Sequence, residues 1–322
     1  MKIAVLIPVY NAEKYLRECL DSALAAGVEL ARTGGHRLDI FCCDDGSQDT
    51  SKVILQEYAI RYENVRFVSQ KNAGVVAARN RLMDELPADV EAFAFLDSDD
   101  TVLSGMYAAL AEALERTQAD IAECEWDGAE RVVDDMSLYL LKRTARGRWI
   151  NVINKLYRKS AIGSIRFREG LCFEEDFFFN FEVHQAIRRK VLVSGHYYFY
   201  RPNPDSATST LNQRRYFEST TRRIRLSCDE FLNAGRIPKA FEPEFRRELA
   251  KDAYRMCLRK NLKKNRDPKS RRELFLAAGG FFRTLERDCG FRPDGLNLVQ
   301  RFIYASCLAG LYAVSRFLSF LT

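Results

Sequence analysis

The feature that most restricts the fold of this 322-residue chain is the alternation of short apolar segments with amphipathic segments over its first 125 residues. Short apolar runs predict buried strands, and the segments between them carry apolar residues at helical spacing. The predicted strands are Ile3–Pro8, Leu38–Cys43, Val65–Val68, Ala92–Leu96 and Asp120–Trp126, and the predicted helices are Ala12–Ala26, Asp49–Tyr62, Val75–Glu85 and Leu103–Gln118. This order is typical of an α/β fold with a mostly parallel, doubly wound sheet and flanking helices. Such sheets bind ligands at the carboxyl ends of their strands, so functional residues are expected directly after the strands.

The pattern changes near residue 210. Residues 127–210 contain a polar loop, a helical segment and a predicted strand at Val191–Tyr200, which is closed by Pro202 and Pro204. From residue 211 onward almost all of the pattern is helical. We therefore predict an α/β domain over residues 1–210 and a helical C-terminal domain over residues 211–322.

Several familiar sites are excluded because their motifs are missing. No glycine-rich dinucleotide fingerprint, P-loop or nucleophile elbow follows any predicted strand. The nine cysteines are an odd number without a C-x-x-C pair, and three histidines are too few for a histidine-rich metal site. The apolar run at the start stops too soon for a secretory signal. Reduced, mostly buried thiols predict a protein of the cytoplasm.

The strongest motif follows the fourth predicted strand, where Asp97, Asp99 and Asp100 surround Ser98. Carboxylates this close repel one another, and a cation that neutralises them lowers that cost. Aspartate oxygens are hard ligands that suit Mg²⁺ or Mn²⁺. A helix cap would explain one of these acids but not three at one strand end. The motif therefore predicts a divalent-cation site.

Two other strand ends carry polar or aromatic residues that are ambiguous when taken singly. Asp44 and Asp45 follow the second strand, where a tight turn with a helix cap would also explain them. Tyr10 follows Pro8 and Val9 at the end of the first strand. Its ring is suited either to stacking on a nucleobase or to packing in the core.

Two further segments combine charge with a helix start. Lys71 and Gly74 precede a predicted helix that carries Arg79 one turn further on, an arrangement that suits an anionic ligand. Glu175 and Asp176 open an aromatic-rich segment. Desolvation there would raise carboxyl pKa values, as a general base requires, but an acidic helix start is explained equally well by the helix dipole.

Taken together and in this order, these motifs resemble those of the family 2 glycosyltransferases, which have the GT-A fold. The matching segments are 7–11, 44–47, 72–74, 78–80, 97–100, 154–157, 175–176 and 200–201. The resemblance covers about residues 1–210 and does not extend to the helical domain. It implies that the α/β domain is a Rossmann-like GT-A catalytic domain.

The resemblance also implies roles for individual residues. Those that would contact the nucleotide sugar are Pro8, Val9, Tyr10, Asp44, Asp45, Lys71, Gly74, Arg79, Asp97, Ser98 and Asp100. Asp45, or Asp44 beside it, would accept a hydrogen bond from the edge of uracil. Asp99, together with Asp97, would hold Mn²⁺ or Mg²⁺, and Asp100 would face the donor sugar or the metal.

The implied reaction is a direct inverting displacement on a UDP-sugar. Asp176 would take the proton from the acceptor hydroxyl as that oxygen attacks the anomeric carbon, and Glu175 would hold the acceptor or the base. The cation would neutralise charge on the leaving diphosphate. The chain has neither Gln-x-x-Arg-Trp nor a row of membrane spans. It is therefore expected to add one sugar, or a few, to a glycan or lipid-linked glycan in bacterial cell-envelope, capsular or exopolysaccharide synthesis.

Two alternatives stay open at the level of sequence. A nucleotidyltransferase acting on a sugar phosphate would need a glycine-rich phosphate loop after the first strand, where this chain has Pro8–Asn11. A basic nucleic-acid-binding protein would explain the local positive charge and would bind in a salt-sensitive way. It leaves the order of the motifs unexplained, so no nucleic acid is expected as a partner.

The C-terminal domain carries a basic tract and an apolar end. Residues 251–272 hold ten lysines and arginines against two aspartates, although the net charge of the whole chain is only +6. Such a tract suits anionic lipid, nucleic acid or a solvated helix face. Phe302–Ser315 is shorter than the ~20 residues that a membrane-spanning helix needs. Both features predict either peripheral contact with an anionic membrane at its cytoplasmic face or packing on protein, including a second copy in a homo-oligomer.

Overall fold

The computed structural model describes residues 1–125, 129–134, 151–171, 175–203, 213–237, 239–254 and 267–289, together with 296, 300–301 and 304–305. The chain forms two compact units. The first comprises Met1–Met136, Ile150–Leu171 and Glu175–Pro204, and the second consists chiefly of Asp205–Thr322. The predicted domain boundary at residue 210 lies outside the described residues and stays a prediction.

The first unit is an α/β structure. Its strands are β1 (Lys2–Val9), β2 (Arg37–Asp44), β3 (Val65–Ser69), β4 (Ala92–Phe95), β5 (Thr101–Val102), β6 (Ile121–Glu125), β7 (Arg131–Val133), β8 (Lys155–Arg158), β9 (Lys190–Ser194) and β10 (Tyr198–Phe199). Its helices are α1 (Leu16–Gly34), α2 (Ser51–Arg61), α3 (Val75–Asp84), α4 (Met106–Thr117), α5 (Lys159–Ile162) and α6 (Glu175–Ala186).

Within the described residues, eight strands form one sheet in the order β3-β2-β1-β4-β8-β6-β9-β7, and β10 pairs with β5 separately. β1 is parallel to both β2 and β4, β2 is parallel to β3, and β6 is parallel to β9. β8 is antiparallel to β4 and β6, and β7 is antiparallel to β9. The chain leaves β1 toward β2 and β3 and later returns to its other side as β4. This reversal creates the crevice at the carboxyl ends of the strands where ligands bind in such sheets.

The central strand β1 shows why the sheet needs helices on both faces. Successive side chains of a strand point to opposite faces. Ile3, Val5 and Ile7 belong to the core cluster that contains residues of α1 and α4, whereas Ala4 and Leu6 belong to the cluster that contains residues of α3 and α6. Both faces of β1 are therefore buried. The predicted mostly parallel sheet with flanking helices is confirmed.

The structure differs from the sequence-based prediction at several places. Helix α1 begins at Leu16 rather than Ala12, because Ala12–Tyr15 form a turn closed by a 2.9 Å bond from Tyr15 N to the Ala12 carbonyl. The short strands β5, β7 and β8 were not predicted. The single strand predicted at Val191–Tyr200 is interrupted at Gly195, whose φ of 147° ends β9, so that β10 pairs with β5 instead.

The second unit is helical throughout its described residues. It contains α7 (Gln213–Ser227), a π-helical segment (Cys228–Asn233), a 3₁₀ segment (Lys239–Phe241), α8 (Glu242–Ala253) and α9 (Pro268–Cys289). Tyr304 packs its ring against Phe282 of α9 and donates a 3.0 Å hydrogen bond to Glu286. Among the described helices, none combines the length and the apolar character that crossing a bilayer requires. Most of the basic tract and of the predicted apolar end lies outside the described residues.

At Gly46, in the turn after β2, both the backbone conformation and the close packing require glycine. Its φ is 75°, and a methyl group there would lie 2.8 Å from Asn72 N and 3.2 Å from the Gln70 carbonyl oxygen. The loop after β3 therefore packs directly on this turn.

Replacing Gly46 with alanine is expected to lower the free energy of unfolding by about 2–3 kcal/mol, because backbone strain and a main-chain clash add together. Gly35→Ala is the matched control: its φ is 62°, but nothing lies within 4 Å of the added methyl. Only the backbone cost of about 1 kcal/mol should remain there. Urea unfolding of the two variants and the parent measures both values, and equal losses would contradict the close packing at Gly46.

Candidate active site

The carboxyl ends of three adjacent strands meet at one edge of the sheet. Val9 lies opposite Asp44 in the β1–β2 register, and Asp45 N donates a 2.8 Å hydrogen bond to the Val9 carbonyl. On the other side of β1, Leu96 N donates a 3.1 Å hydrogen bond to Leu6. The motifs predicted after the first, second and fourth strands are thus neighbours in space.

Asp45 holds the segment between β3 and α3. Its carboxylate accepts hydrogen bonds from Gln70 Nε2 at 2.8 Å, Ala73 N at 2.9 Å and Gly74 N at 2.8 Å. Asp44 accepts one hydrogen bond at Oδ1, from Ser47 N at 3.0 Å, and its Oδ2 accepts none from the described residues. Of the two acids proposed for the uracil edge, Asp44 therefore has more acceptor capacity left, because Asp45 accepts three hydrogen bonds and Asp44 accepts one.

The remaining donor-side residues differ in exposure. Pro8 and Val9 are buried, whereas the Tyr10 side chain is half exposed at 49%. Lys71 is exposed and pairs with none of the residues that the structure describes. Gly74 begins α3 with a φ of 88°, a conformation that favours glycine.

The three aspartates of the acidic motif after β4 have different hydrogen-bond partners. Asp97 Oδ1 accepts a 2.9 Å hydrogen bond from Arg79, and Asp99 Oδ2 accepts one of 2.9 Å from Asn203 Nδ2. The other oxygen of each carboxylate accepts no hydrogen bond from the described residues. Both side chains are partly exposed. Asp97 and Asp99 therefore keep oxygens that fit a hard divalent cation.

Asp100 has a different position from the one expected. It is 1% exposed, and its two oxygens accept hydrogen bonds from Tyr198 OH at 2.6 Å and Arg201 N at 2.8 Å. Burial raises the pKa of Asp100 to about 7. Asp100 thus joins β10 to the acidic motif, and its expected contact with the donor sugar or the metal stays a prediction. Ser98 between the acids is partly exposed.

Arg79 joins the acidic motif to the start of α6. Its buried guanidinium pairs with Asp97 at 2.9 Å, Asp176 at 2.8 Å and Glu175 at 3.3 Å. The rings of Phe167 and Phe95 flank it, with centroids 5.4 and 6.0 Å from its central carbon. Burial alone would lower the pKa of Arg79, but the three carboxylates raise it above its usual range. Arg79 is thus bound to carboxylates of this chain, not directed to the donor as the sequence analysis implied.

The two acids at the start of α6 differ in their hydrogen bonding. Asp176 accepts from Arg79 at Oδ1 and from Val152 N at Oδ2, the latter at 3.3 Å. Glu175 Oε2 is buried and accepts no hydrogen bond from the described residues. Burial raises the pKa of both acids, and the charge of Asp176 raises that of Glu175 further. Raised carboxyl pKa values beside one fixed cation are the electrostatic setting of a general base.

Several residues of this site were not found from the sequence. Tyr198, Asn203 and Val152 hold the predicted acids, yet each lies at least 24 positions away from its partner in the chain. No local pattern marks such long-range contacts. Arg201 lies in a segment that matched the family pattern, but the sequence suggested no role for it.

Comparison with known proteins identifies the family. The sequence matches the family described as Glycosyl transferase family 2 over residues 4–193. It is 29% identical over 227 residues to the uncharacterized glycosyltransferase EpsJ of Bacillus subtilis, and this alignment covers 64% of this chain and 62% of EpsJ. It is 26% identical over 234 residues to the minor teichoic acid biosynthesis protein GgaA of the same organism, which covers 66% of this chain and 51% of GgaA. The chain thus spans about half to two thirds of the length of these relatives.

A solved structure supports the same fold. The crystal structure of S. aureus TarS 1–349 in complex with UDP-GlcNAc has a TM-score of 0.70 to this chain at 21% identity, covering 99% of this chain and 90% of that chain. At that identity the likeness shows the GT-A fold alone. The family match extends over more than half of the 322 residues and includes every strand end described above. The chain belongs to glycosyl transferase family 2.

Proposed function

We propose that this protein is an inverting glycosyltransferase that moves a sugar from a UDP-sugar to a hydroxyl group of a glycan or lipid-linked glycan. The observation that carries the proposal is the shared contact of Arg79 with Asp97 at 2.9 Å and with Asp176 at 2.8 Å. One carboxylate belongs to the acidic motif and the other to the base motif. A donor bound at the first would therefore have a general base beside it.

Two of the comparisons support the substrate class. TarS 1–349 was crystallised with UDP-GlcNAc, and GgaA is named for teichoic acid biosynthesis. A UDP-sugar donor and a cell-envelope polysaccharide product are consistent with both. We propose these classes for the present chain and leave the particular sugar to a screen of UDP-sugars.

The donor side would use residues of the strand ends. The exposed ring of Tyr10 can stack on a nucleobase, and Asp44 Oδ2 can accept the uracil N3–H. Exposed Lys71, next to the segment that Asp45 holds, can pair with a phosphate.

Asp97 and Asp99 are the residues that would hold Mn²⁺ or Mg²⁺. Mg²⁺ is usually bound through one or two carboxylates, with substrate phosphates and water completing its shell. No group of three or more potential ligand side chains occurs within the described part of the chain, so phosphate oxygens would have to complete the shell. When bound, the cation would neutralise charge on the leaving diphosphate.

The acceptor side would use Asp176. Each of its oxygens has one hydrogen bond and a further lone pair to take a proton. The new bond forms between the acceptor oxygen and the anomeric carbon as the bond from that carbon to the diphosphate breaks. The acceptor proton goes to Asp176. Attack from the face opposite the leaving group inverts the anomeric configuration. Glu175 would support the base or contact the acceptor.

A cytoplasmic location and a peripheral membrane contact, or a homo-oligomer, stay predictions. They depend on the basic tract and the apolar end, most of which lies outside the described residues. A lipid-linked acceptor would be a reason for the contact with an anionic membrane.

Asp99→Asn should remove most of the effect of Mn²⁺ on UDP binding, because it replaces a charged ligand by a neutral one. UDP release from the UDP-sugar that the screen selects should fall by about 10²–10³-fold. The measurements are calorimetry of UDP with and without Mn²⁺ and a UDP-release assay, which also distinguishes transfer from nucleotidyl chemistry that releases pyrophosphate. Asp49→Asn is the control and should keep the Mn²⁺ effect, because Asp49 lies in the loop between β2 and α2 and accepts hydrogen bonds from Ser51 N and Glu13 N. A normal Mn²⁺ effect in Asp99→Asn would overturn the assignment.

Asp176→Asn should leave the affinity for UDP nearly unchanged while kcat for transfer falls by about 10²–10⁴-fold, because a general base acts on the acceptor. Glu182→Gln is the matched control, because Glu182 lies on α6 like Asp176 and pairs with Arg168, outside that helix. If UDP affinity collapses in Asp176→Asn while turnover of bound donor persists, Asp176 is a binding residue.

The rate of transfer should fall as the pH is lowered. This fall should begin at a higher pH than it would for a base with the ordinary aspartate pKa of about 4. The base acts only when ionised, and burial raises the pKa of Asp176 although Arg79 opposes it. Asp97 and Lys155 also act on this carboxylate, the first raising and the second lowering its pKa. Glu175→Gln removes a neighbouring negative charge, so the acidic limb of the kcat profile should move to lower pH. An acidic limb that stays in place or moves to higher pH in Glu175→Gln would contradict the electrostatic coupling of Glu175 and Asp176.

A further inference from the structure

A second group of buried charges contains no residue to which the proposed reaction assigns a step. Glu123 of β6 pairs with Lys155 of β8 at 3.6 Å and with Lys190 of β9. All three side chains are at most 1% exposed. Lys190 also contacts His184 Nε2 of α6 at 3.0 Å. Burying charge is costly unless it is paired and hydrogen-bonded, so each lysine needs a structural reason.

The ammonium of Lys155 lies among oxygen atoms of the loop just before β8. Its three N–H groups are shared among four oxygens: the Asn151 carbonyl at 2.6 Å, Asn151 Oδ1 at 3.2 Å, the Ile153 carbonyl at 3.3 Å and Asn154 Oδ1 at 3.1 Å. Four oxygens that converge in a buried space repel one another unless a cation lies between them. Lys155 therefore fixes the conformation of residues 151–154.

The backbone of this loop is unusual enough to need such support. Asn154 has a φ of 57°, in the left-handed region that few side chains adopt. Its Nδ2 donates a 2.7 Å hydrogen bond to the Cys124 carbonyl, and its own carbonyl accepts 3.0 Å from Cys124 N. The loop is thus attached to β6 at one end and turned inward around Lys155.

The same loop is attached to α6 on its other side. Asn180 Nδ2 donates to the Asn151 carbonyl at 3.0 Å and to the Asp176 carbonyl at 2.9 Å, and Tyr157 OH donates to Asn180 Oδ1 at 3.2 Å. Between these attachments, Val152 N–H reaches Asp176 Oδ2 at 3.3 Å. With Arg79 on Oδ1, this bond sets the direction of the carboxylate.

We propose that Lys155 is a positioning residue for the general base: its ammonium holds the 151–154 loop in the one conformation that places Val152 N–H on Asp176. The inference rests on the proposed function, which makes Asp176 the base. Lys155 acts through the loop, and no ion pair between Lys155 and Asp176 is needed. Displacing a reacting group by about 1 Å can cost about 10²-fold in rate.

The test compares Lys155→Met with Lys190→Met in the full chain. Both remove a buried lysine that pairs with Glu123, and in each variant the other lysine still pairs with that acid. Hydrogen exchange of the 151–154 amides should become faster in Lys155→Met and stay near the parent value in Lys190→Met. In the UDP-release assay, Lys155→Met should lose about 10²-fold in kcat with UDP affinity within about twofold of the parent. Lys190→Met should lose less than about threefold.

Asn180→Leu serves if Lys155→Met does not fold, because it detaches the loop from α6 without leaving an unpaired charge. It should show the same faster exchange at 151–154 and a loss of kcat without a loss of UDP affinity. Equal kcat losses in the two lysine variants, or parent-like exchange at 151–154 in both Lys155→Met and Asn180→Leu, would overturn the proposal. If the parent releases no UDP from any UDP-sugar, the proposed function fails and no base exists for Lys155 to position. Faster exchange in Lys155→Met alone would then still establish the lysine as the support of the loop.

Discussion

The guanidinium of Arg79 pairs with three carboxylates at once, and the geometry of the site depends on it. Asp97 comes from the end of β4, whereas Glu175 and Asp176 come from the start of α6, almost 80 residues later in the chain. Without a cation between them, these acids would repel one another in a buried space. Phe95 and Phe167 flank the guanidinium, which lowers the local dielectric and strengthens the pairing. Arg79 therefore joins the strand end to the helix start, beside the apolar packing of Phe95 on Phe179.

One guanidinium does not balance three carboxylates, and the excess negative charge has consequences. Burial raises the pKa of Glu175 and Asp176, and neighbouring carboxylates raise both further. The partly exposed side chains of Asp97 and Asp99 lie beside the same negative charge. In the proposed function, such a field would attract a divalent cation and, through it, a diphosphate. Asp100 is buried and accepts hydrogen bonds from Tyr198 and Arg201. Adjacent residues of one motif thus differ, because Asp97 and Asp99 are partly exposed whereas Asp100 joins the motif to β10.

The sequence predicted the elements of the sheet well where a periodic pattern was long enough, as in β1, β2 and α3, and it located the motifs at the strand ends. It could not show which residues donate hydrogen bonds to Asp99 and Asp100, because Asn203 and Tyr198 lie about 100 residues further on in the chain. It could not choose between Asp44 and Asp45 either. The choice depends on Ala73 and Gly74, which belong to a different loop. The break at Gly195 escaped prediction because apolar residues continue on both sides of it.

The contacts of Asp45 also bear on how this protein can be altered. Two of its three hydrogen bonds go to main-chain N–H groups, at residues 73 and 74, which every amino acid except proline provides. The loop is therefore held largely without regard to which side chains it carries. Lys71 and Asn72 project from it and are exposed. A library that randomises these two positions, keeps Gly74 and excludes proline at 73 would vary the lining of the nucleotide side while the loop keeps its anchor. Variants from this library could then be selected for a new donor while the α/β unit keeps its fold.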